Sequence, residues 1–282
     1  MSAVRRIGFA YNPTKDESVE LVTRATGWCE RRGIATWTVA SGDTAALLAA
    51  LPGADVLVVL GGDGTFLRAA RAVAEVDVPI VGVNLGKIGF LSKAEAHELE
   101  DLLEKIAAGR FHLERRMALR GTITSARGRS ARHAFVALND VVIARGSLAR
   151  VVRLDVEIGP SHLATFVADG LVVASPTGST GYSFSAGGPI LDPSSRNLIV
   201  TPIAAYLSAL GSVVVSPDQV VCCRVVEAHE ALVSIDGRED FRVRVGDVVT
   251  VAALEQALRF LEPEGAVPFW DLLREKAQLL PS

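Results

Sequence analysis

Apolar and polar positions repeat with different periods in the two halves of this chain. Up to about residue 110, short apolar runs are separated by segments in which apolar side chains recur every three or four positions. This pattern predicts strands over 6–11, 34–39, 56–60 and 79–83 and helices over 18–32, 44–51, 65–74 and 94–108. In the first helix, Trp28 and Cys29 lie on the apolar face and are predicted to be core residues. Such alternation is typical of an α/β domain whose parallel sheet is covered on both faces.

Beyond residue 110 the period changes to two. Apolar and charged residues alternate over 152–158, and similar runs cover 119–124, 135–144, 163–167, 213–216, 220–226, 231–235, 241–245 and 248–252. This half is therefore predicted to be mostly antiparallel β. The last segment is helical again, and we expect it to return to the first domain, because Trp270 and its leucines need an apolar partner. The predicted domains are 1–112 and 113–262, followed by a C-terminal helix in 263–282.

Composition narrows the class of protein. The 282 residues carry a formal net charge of −3, which gives no basic surplus for nucleic acid or a membrane surface. The N-terminal apolar stretch is interrupted by Asn12 and Pro13 and is too short for a secretory signal, so we expect a cytoplasmic protein. The three cysteines, two of them adjacent, predict neither a disulfide framework nor a zinc site.

The first candidate for chemistry is Gly61-Gly62-Asp63-Gly64, directly after the apolar run 56–60. A strand that turns through glycines into a helix exposes main-chain N–H groups to a phosphate, without Cβ atoms in the way. A carboxylate beside phosphates adds repulsion, so Asp63 indicates either a Mg²⁺ ligand or a proton acceptor. The alternative is a tight connection without function. The motif matches neither the Walker loop nor the dinucleotide fingerprint.

A second unusual stretch covers 169–189, where five glycines and seven hydroxyl side chains fall within 21 residues. Hydroxyls and main-chain amides suit phosphate and ribose oxygens, and Tyr182 offers an aromatic face for a base. The alternative is a long hairpin loop kept soluble by serine and threonine. A third feature is Asn139-Asp140, two polar residues inside an otherwise apolar run. They indicate either a ligand for buried polar groups or a turn at a strand end.

Together with Asp169-Gly170 and Ile235-Asp236-Gly237, these motifs closely resemble the NAD kinase family in order and spacing, over nearly the whole chain. The resemblance implies phosphoryl transfer from ATP, or inorganic polyphosphate, to the 2′-hydroxyl of the adenosine ribose of NAD, giving NADP, with Mg²⁺ bridging the donor phosphates. It also implies a Rossmann-like α/β domain, a β-sandwich-like domain with the site between them, and a homo-oligomer, either dimer or tetramer.

The resemblance also implies site residues. Asp63 would be the general base, with Gly64 against the NAD, and Arg68 would contact a phosphate or be an exposed helix arginine. Asn139 and Asp140 would hold the adenosine, Arg150 would lie near the phosphates, and Asp169 would contact the nicotinamide end. The dinucleotide would be wrapped by Thr180, Gly181, Tyr182, Ser183, Phe184 and Ser185.

Four positions depart from the family pattern. Asp140 stands where glutamate is frequent, Gly181 where alanine is, and Ala205-Tyr206 where a Pro-His pair is. Arg238 replaces a common glutamine, and its charge could favour a phosphate. A kinase for a lipid hydroxyl and a non-catalytic nucleotide sensor are the rival hypotheses. The hydroxyl-rich loop argues against the first, and the intact Asp63 against the second. The choices between ATP and polyphosphate, and between NAD and NADH, stay open.

Overall fold

The computed structural model describes residues 4–86, 89–126, 128, 131–146 and 150–278. The chain divides into two compact units. The first takes residues up to Arg115 and those from Leu258 onward, and the second runs from Arg116 to Ala257.

The first unit is an α/β layer structure. Its strands are β1 (Arg6–Tyr11), β2 (Ala35–Ala40), β3 (Val56–Leu60), β4 (Ile80–Asn84), β5 (Ser92–Glu95), β6 (Phe111–Arg116) and, late in the chain, β19 (Leu258–Pro263). Its helices are α1 (Asp16–Glu30), α2 (Thr44–Ala50), α3 (Asp63–Val73), α4 (Leu99–Ala107) and α6 (Phe269–Gln278). Among the described residues, no helix is both long and apolar enough to cross a membrane.

The sheet of this unit has the order β2-β1-β3-β4-β19-β6, with β5 paired to β4. The strands β1 to β4 run parallel, and every residue of the central β3 is buried, as its unbroken apolar sequence requires. Trp28 and Cys29 of α1 lie in the core, at 2% and 0% exposure. The predicted α/β class is confirmed.

Three strands of this sheet were not predicted, namely β5, β6 and β19. The expected helix over 94–108 is wrong at its start, because Ser92–Glu95 forms β5 and α4 begins only at Leu99. The strand β19 joins the first sheet, so the second unit ends at Ala257. The strands β5 and β19 each contain a buried charged residue, Lys93 and Glu262, which interrupts their apolar pattern. Lys93 Nζ lies 2.8 Å from Glu262 Oε1, and the ion pair is almost fully buried.

The second unit consists of two antiparallel sheets. Its strands are β7 (Leu119–Thr124), β8 (Ala131–Ala137), β9 (Asp140–Arg145), β10 (Val152–Ile158), β11 (Ser161–Ala168), β12 (Gly170–Ala174), β13 (Leu198–Ile203), β14 (Val213–Val215), β15 (Val221–Glu227), β16 (Ala231–Ile235), β17 (Glu239–Val243) and β18 (Val248–Ala253), and a short helix is α5 (Tyr182–Ser185). The sheets have the orders β11-β10-β15-β18-β7-β8 and β14-β13-β12-β9-β16-β17. Apolar residues of both sheets form one core, which confirms the predicted sandwich class.

The apolar run 135–144 is not one strand. Residues 135–137 belong to β8 in the first of these sheets, and residues 140–144 belong to β9 in the other. Leu138 and Asn139 lie between the two strands. Asn139 therefore lies in a turn between two strands, and Asp140 is the first residue of β9. Because the chain changes sheets here, the main-chain N–H groups of the turn need partners from elsewhere.

Candidate active site

The glycine loop of the first unit leads from β3 into α3. Gly61 N–H donates to Val83 O over 2.9 Å, Gly62 caps the helix, and Asp63 and Gly64 form its first two residues. A Cβ on Gly61 would lie 2.7 Å from Thr65 Oγ1, so the turn closes only with glycine. The loop therefore presents the positive end of an 11-residue helix, which favours an anion such as a phosphate.

The carboxylate of Asp63 is partly buried and closely packed. Its Oδ1 is buried and has no hydrogen-bond partner among the described residues. A Cβ on Gly89 would come within 2.2 Å of that oxygen, so only glycine leaves room for the carboxylate there. Burial raises the pKa of Asp63, and the charge of Lys276 and an N–H bond from Leu91 oppose the rise. An unpaired oxygen with a raised pKa is well suited to accept a proton.

The cation near Asp63 comes from the C-terminal helix. Lys276 Nζ lies 5.4 Å from the ring centroid of Phe90, and Phe90 in turn packs 6.0 Å from Phe269. Phe269 thus has an aromatic neighbour in the first unit, and Leu272 is buried. Trp270 is 52% exposed and meets the ring of Phe269 edge-on.

Arg68 follows Asp63 by a little more than one helical turn. Its guanidinium donates to Ser41 Oγ, at 3.3 Å from Nε and 3.2 Å from Nη2, and to Thr65 Oγ1 at 3.4 Å. These bonds hold the partly buried arginine along the surface of α3, one turn after the glycine loop. The Arg68 side chain is therefore partly buried rather than fully exposed.

In the second unit, one carboxylate organises the turn between β8 and β9. Asp236 Oδ1 accepts from the N–H groups of Asn139 (2.8 Å) and Asp140 (3.2 Å), and Oδ2 accepts from Leu138 N–H (3.2 Å). Asp236 N–H donates back to Asp140 O at 3.0 Å. The turn that carries Asn139 and Asp140 is thus tied to the end of β16.

The side chain of Asp140 points into the protein and is 6% exposed. Burial, and after it the charge of Asp236, raises the pKa of this carboxyl to about 7. Near neutral pH the carboxyl is therefore divided between a protonated form, which donates a hydrogen bond, and an ionised form, which only accepts.

The hydroxyl-rich loop closes over the same turn. Ser175 N–H donates to Asn139 O at 2.8 Å, and Gly178 N–H donates to Ser175 Oγ at 3.2 Å. The main chain of Gly178 lies directly on Asn139, because a Cβ there would be 2.1 Å from Asn139 O. Thr177 Oγ1 is buried, without a hydrogen-bond partner in the described part of the chain.

The rest of the loop turns its rings outward. Tyr182 and Phe184 are 46% and 49% exposed, whereas Ser183 is buried with its hydroxyl 3.2 Å from Thr201 Oγ1. Ser185 is exposed, and Thr180 Oγ1 donates to Thr177 O at 3.5 Å. Gly181 lies beside Asp140, since its Cβ position is 3.7 Å from Asp140 Oδ2. The structure therefore brings Asn139, Asp140 and this loop together.

Asp169 lies at the other end of β12 from this cluster. Six residues of extended chain separate it from Ser175, which corresponds to about 20 Å. Its carboxylate pairs with Arg145, whose Nε is 2.7 Å from Oδ1 and whose Nη2 is 3.2 Å from Oδ2. Arg150 and Arg238 are both exposed, the latter in the turn after Asp236 and Gly237.

Sequence patterns did not single out Gly89, Lys276 or the clamping role of Asp236. Each acts on a residue far away in the chain, so no local spacing marks it. For Asp236, the signal available was its position before a glycine at a strand end. The described residues contain no group of three or more His, Cys, Asp or Glu side chains that could hold a metal ion.

Comparisons with known proteins agree on one family. Models of the ATP-NAD kinase N-terminal and C-terminal domains match residues 44–111 and 138–262. The NAD kinase of Natranaerobius thermophilus is 36% identical over 282 residues, covering 97% of this chain and 98% of that protein. That of Heliobacterium modesticaldum is 38% identical, covering 96% and 98%. That of Symbiobacterium thermophilum is 42% identical, covering 79% and 78%.

Two solved structures share the fold. Yeast NADH kinase complexed with NADH has a TM-score of 0.86 at 20% identity, covering 100% of this chain and 89% of that one. An NAD kinase from Archaeoglobus fulgidus in complex with ATP has a TM-score of 0.76 at 24% identity, covering 98% and 100%. Both compare with this chain over almost its full length.

Proposed function

This chain belongs to the NAD kinase family, and from that premise we propose that Asp63 is the general base in its phosphorylation of NAD to NADP. One observation carries the proposal. Asp63 Oδ1 is a buried carboxylate oxygen without a hydrogen-bond partner among the described residues, at the N-terminus of a helix suited to phosphates.

In the proposed step, Asp63 accepts the proton of the 2′-hydroxyl of the adenosine ribose. The hydroxyl oxygen forms its bond to the γ-phosphorus of ATP while the bond from that phosphorus to the β-bridging oxygen breaks, so NADP and ADP leave. The raised pKa of Asp63 supports this role, because a base with a higher pKa takes a proton from a weak acid more readily. The rest of the catalysis is positioning and charge neutralisation.

We assign the donor phosphates to the N-terminus of α3, where Gly61 and Gly62 leave the main chain uncovered, and to Arg68. Gly64 would lie against the NAD. Arg68 is supported by its bonds to Ser41, which fix the guanidinium one turn after the loop.

We assign the NAD to the cluster of the second unit. Asn139 and Asp140 would hold the adenosine, and the loop of Thr180, Gly181, Tyr182, Ser183, Phe184 and Ser185 would wrap the dinucleotide. The exposed ring of Tyr182 is available for stacking. Asp169 would meet the nicotinamide end, and the exposed Arg150 and Arg238 would face phosphates.

We propose that Mg²⁺ enters with ATP, bound mainly by phosphate oxygens and water, as is common for this ion. The part of the chain that the structure describes has no group of three or more His, Cys, Asp or Glu side chains that could hold a metal ion, so the phosphates and water would supply most of the ligands. When bound, the ion neutralises charge on the transferring phosphoryl group.

Chelation tests the reaction and its metal together. With NAD, ATP and Mg²⁺, purified protein is expected to form NADP, and EDTA is expected to lower the rate at least about 100-fold. The product is read with an NADP-specific dehydrogenase. Replacing ATP by polyphosphate, and NAD by NADH, decides the donor and the acceptor. Undiminished turnover in EDTA would remove the metal from the mechanism, and no product with any pair would contradict the function.

Replacing Lys276 by Met should shift the acidic limb of the kcat profile to higher pH. Asp63 must be ionised to act as a base, so kcat falls as the pH drops through its pKa. Lys276 lowers that pKa, and its removal raises it. We expect kcat a few-fold lower at acidic pH and unchanged on the alkaline plateau.

The matched control for Lys276→Met is Lys105→Met, which removes a lysine of the same unit that pairs with Asp101 at 2.8 Å. Its profile should coincide with that of the wild type. A Lys276→Met profile that does not move, or moves toward lower pH, would show that Asp63 is not the titrating base.

We further propose a cytoplasmic homo-oligomer, dimer or tetramer. All three cysteines are free thiols, as is usual in a reducing compartment. Leu207 is 87% exposed, and Tyr206, Leu210 and Val214 near it are also exposed, which supports burial of this segment against another copy of the chain.

A further inference from the structure

We propose that Asp236 is a positioning residue for NAD, acting through the turn that carries Asn139 and Asp140. The inference rests on the proposed assignment of NAD to this turn. Asp236 itself is not placed in contact with substrate.

The geometry is that of a clamp. One buried carboxylate accepts from three consecutive N–H groups, those of Leu138, Asn139 and Asp140, at 2.8 to 3.2 Å. The turn lies between strands of two different sheets, so no strand ladder holds Asn139. Asn139 is fixed by Asp236 on its N–H and by Ser175 N–H on its carbonyl.

The backbone at the clamp is itself unusual. Asp236 has φ 50° and Gly237 has φ 63°, two successive residues in the left-handed region. A left-handed aspartate is unfavourable unless the surrounding structure holds it. Here that conformation goes with Asp236 N–H donating to Asp140 O while its carboxylate accepts from the same turn.

The clamp also sets the charge beside the substrate. Asp140 meets Ala174 of β12 across the ladder and Gly181 of the loop, neither of which is charged. Burial raises the pKa of Asp140 to about 7, and the charge of Asp236 adds to that rise. At neutral pH Asp140 is therefore protonated in a fraction of the molecules, and the affinity for NAD should change with pH around 7.

The test is Asp236→Asn, which keeps the size of the side chain and removes its charge. We expect the KM for NAD, and its Kd from calorimetry, to rise about tenfold while kcat changes little. The inflection of KM near pH 7 should move to lower pH, because the pKa of Asp140 falls without its charged neighbour.

Asp247→Asn is the matched control. Asp247 is a buried carboxylate of the same unit that accepts from the N–H groups of Ala126 (3.1 Å) and Arg244 (3.0 Å). The Asp247→Asn substitution should lower Tm without changing the KM for NAD or the pH dependence of that KM. Equal effects of the two variants on KM, or an unmoved inflection in Asp236→Asn, would overturn the proposal.

Two further measurements keep the test decisive. If Asp236→Asn does not fold, as judged by circular dichroism, Asp140→Asn takes its place and should abolish the inflection near pH 7. Its persistence would overturn the proposal. Wild-type protein that binds no NAD and forms no NADP would instead contradict the proposed function, which separates the two failures.

Discussion

Asp63→Asn is expected to lower kcat for NADP formation by about 10²–10⁴-fold and to leave the KM for NAD nearly unchanged. The amide keeps the size of the side chain but accepts no proton at neutral pH. Since Asp63 Oδ1 has no hydrogen-bond partner among the described residues, the substitution breaks no bond of that oxygen in the free protein. The loss would therefore appear in the chemical step. Steady-state rates and calorimetric NAD binding separate the two effects.

Although Asp63→Asn should lose activity, it is expected to be at least as stable as the wild type. The folded protein raises the pKa of Asp63, so it binds that proton more tightly than the unfolded chain does. The ionised carboxylate therefore costs free energy, and this cost grows as the pH rises from the unfolded pKa of about 3.9 through the folded value. At neutral pH, Asp63→Asn should unfold at an equal or higher temperature than the wild type, measured by calorimetry.

Asp16→Asn is the matched control, because Asp16 opens α1 as Asp63 opens α3. Its kcat should equal that of the wild type. Wild-type kcat in Asp63→Asn would remove Asp63 as the base. An inactive variant with a lower Tm and no NAD binding would mean that the side chain acts by supporting the fold.

The fold was predictable wherever burial leaves a simple pattern. The apolar run of β3 and the glycines after it predict the turn into α3, and the structure contains it at those residues. The strands β5 and β19 were missed by the sequence-based prediction because Lys93 and Glu262 are charged. These two residues are compatible with burial only because they pair with each other. Neither residue indicates its partner, since the partner lies in a distant part of the chain.

The site was predictable as motifs but not as contacts. Asn139 and Asp140 stand out as polar residues in an apolar run, yet the change of sheet between them and Ala137 leaves no signal in hydropathy. What holds the turn is Asp236, and what leaves room beside Asp63 is Gly89. Both relations are three-dimensional, so spacing within a motif cannot show them.

Gly178→Ala is expected to lower both the stability of the protein and its affinity for NAD, because Gly178 packs closely against the turn that carries Asn139. The new Cβ would lie 2.1 Å from Asn139 O and 2.5 Å from its carbonyl carbon, and both atoms belong to the main chain. That carbonyl cannot move without straining its bond from Ser175 N–H or the one from Asn139 N–H to Asp236. Forcing extra volume into such a site costs about 1–3 kcal/mol.

The displaced carbonyl belongs to Asn139, which is proposed to hold the adenosine. The affinity for NAD should therefore fall together with the stability. We expect the KM for NAD to rise about 10- to 100-fold in Gly178→Ala, with Tm lower by several degrees. Gly211→Ala is the control, because its Cβ meets nothing within 4 Å and its backbone is not left-handed. Wild-type affinity for NAD in Gly178→Ala would show that the turn tolerates displacement. In that case neither the loop nor the Asp236 clamp could be setting the position of Asn139 for the substrate.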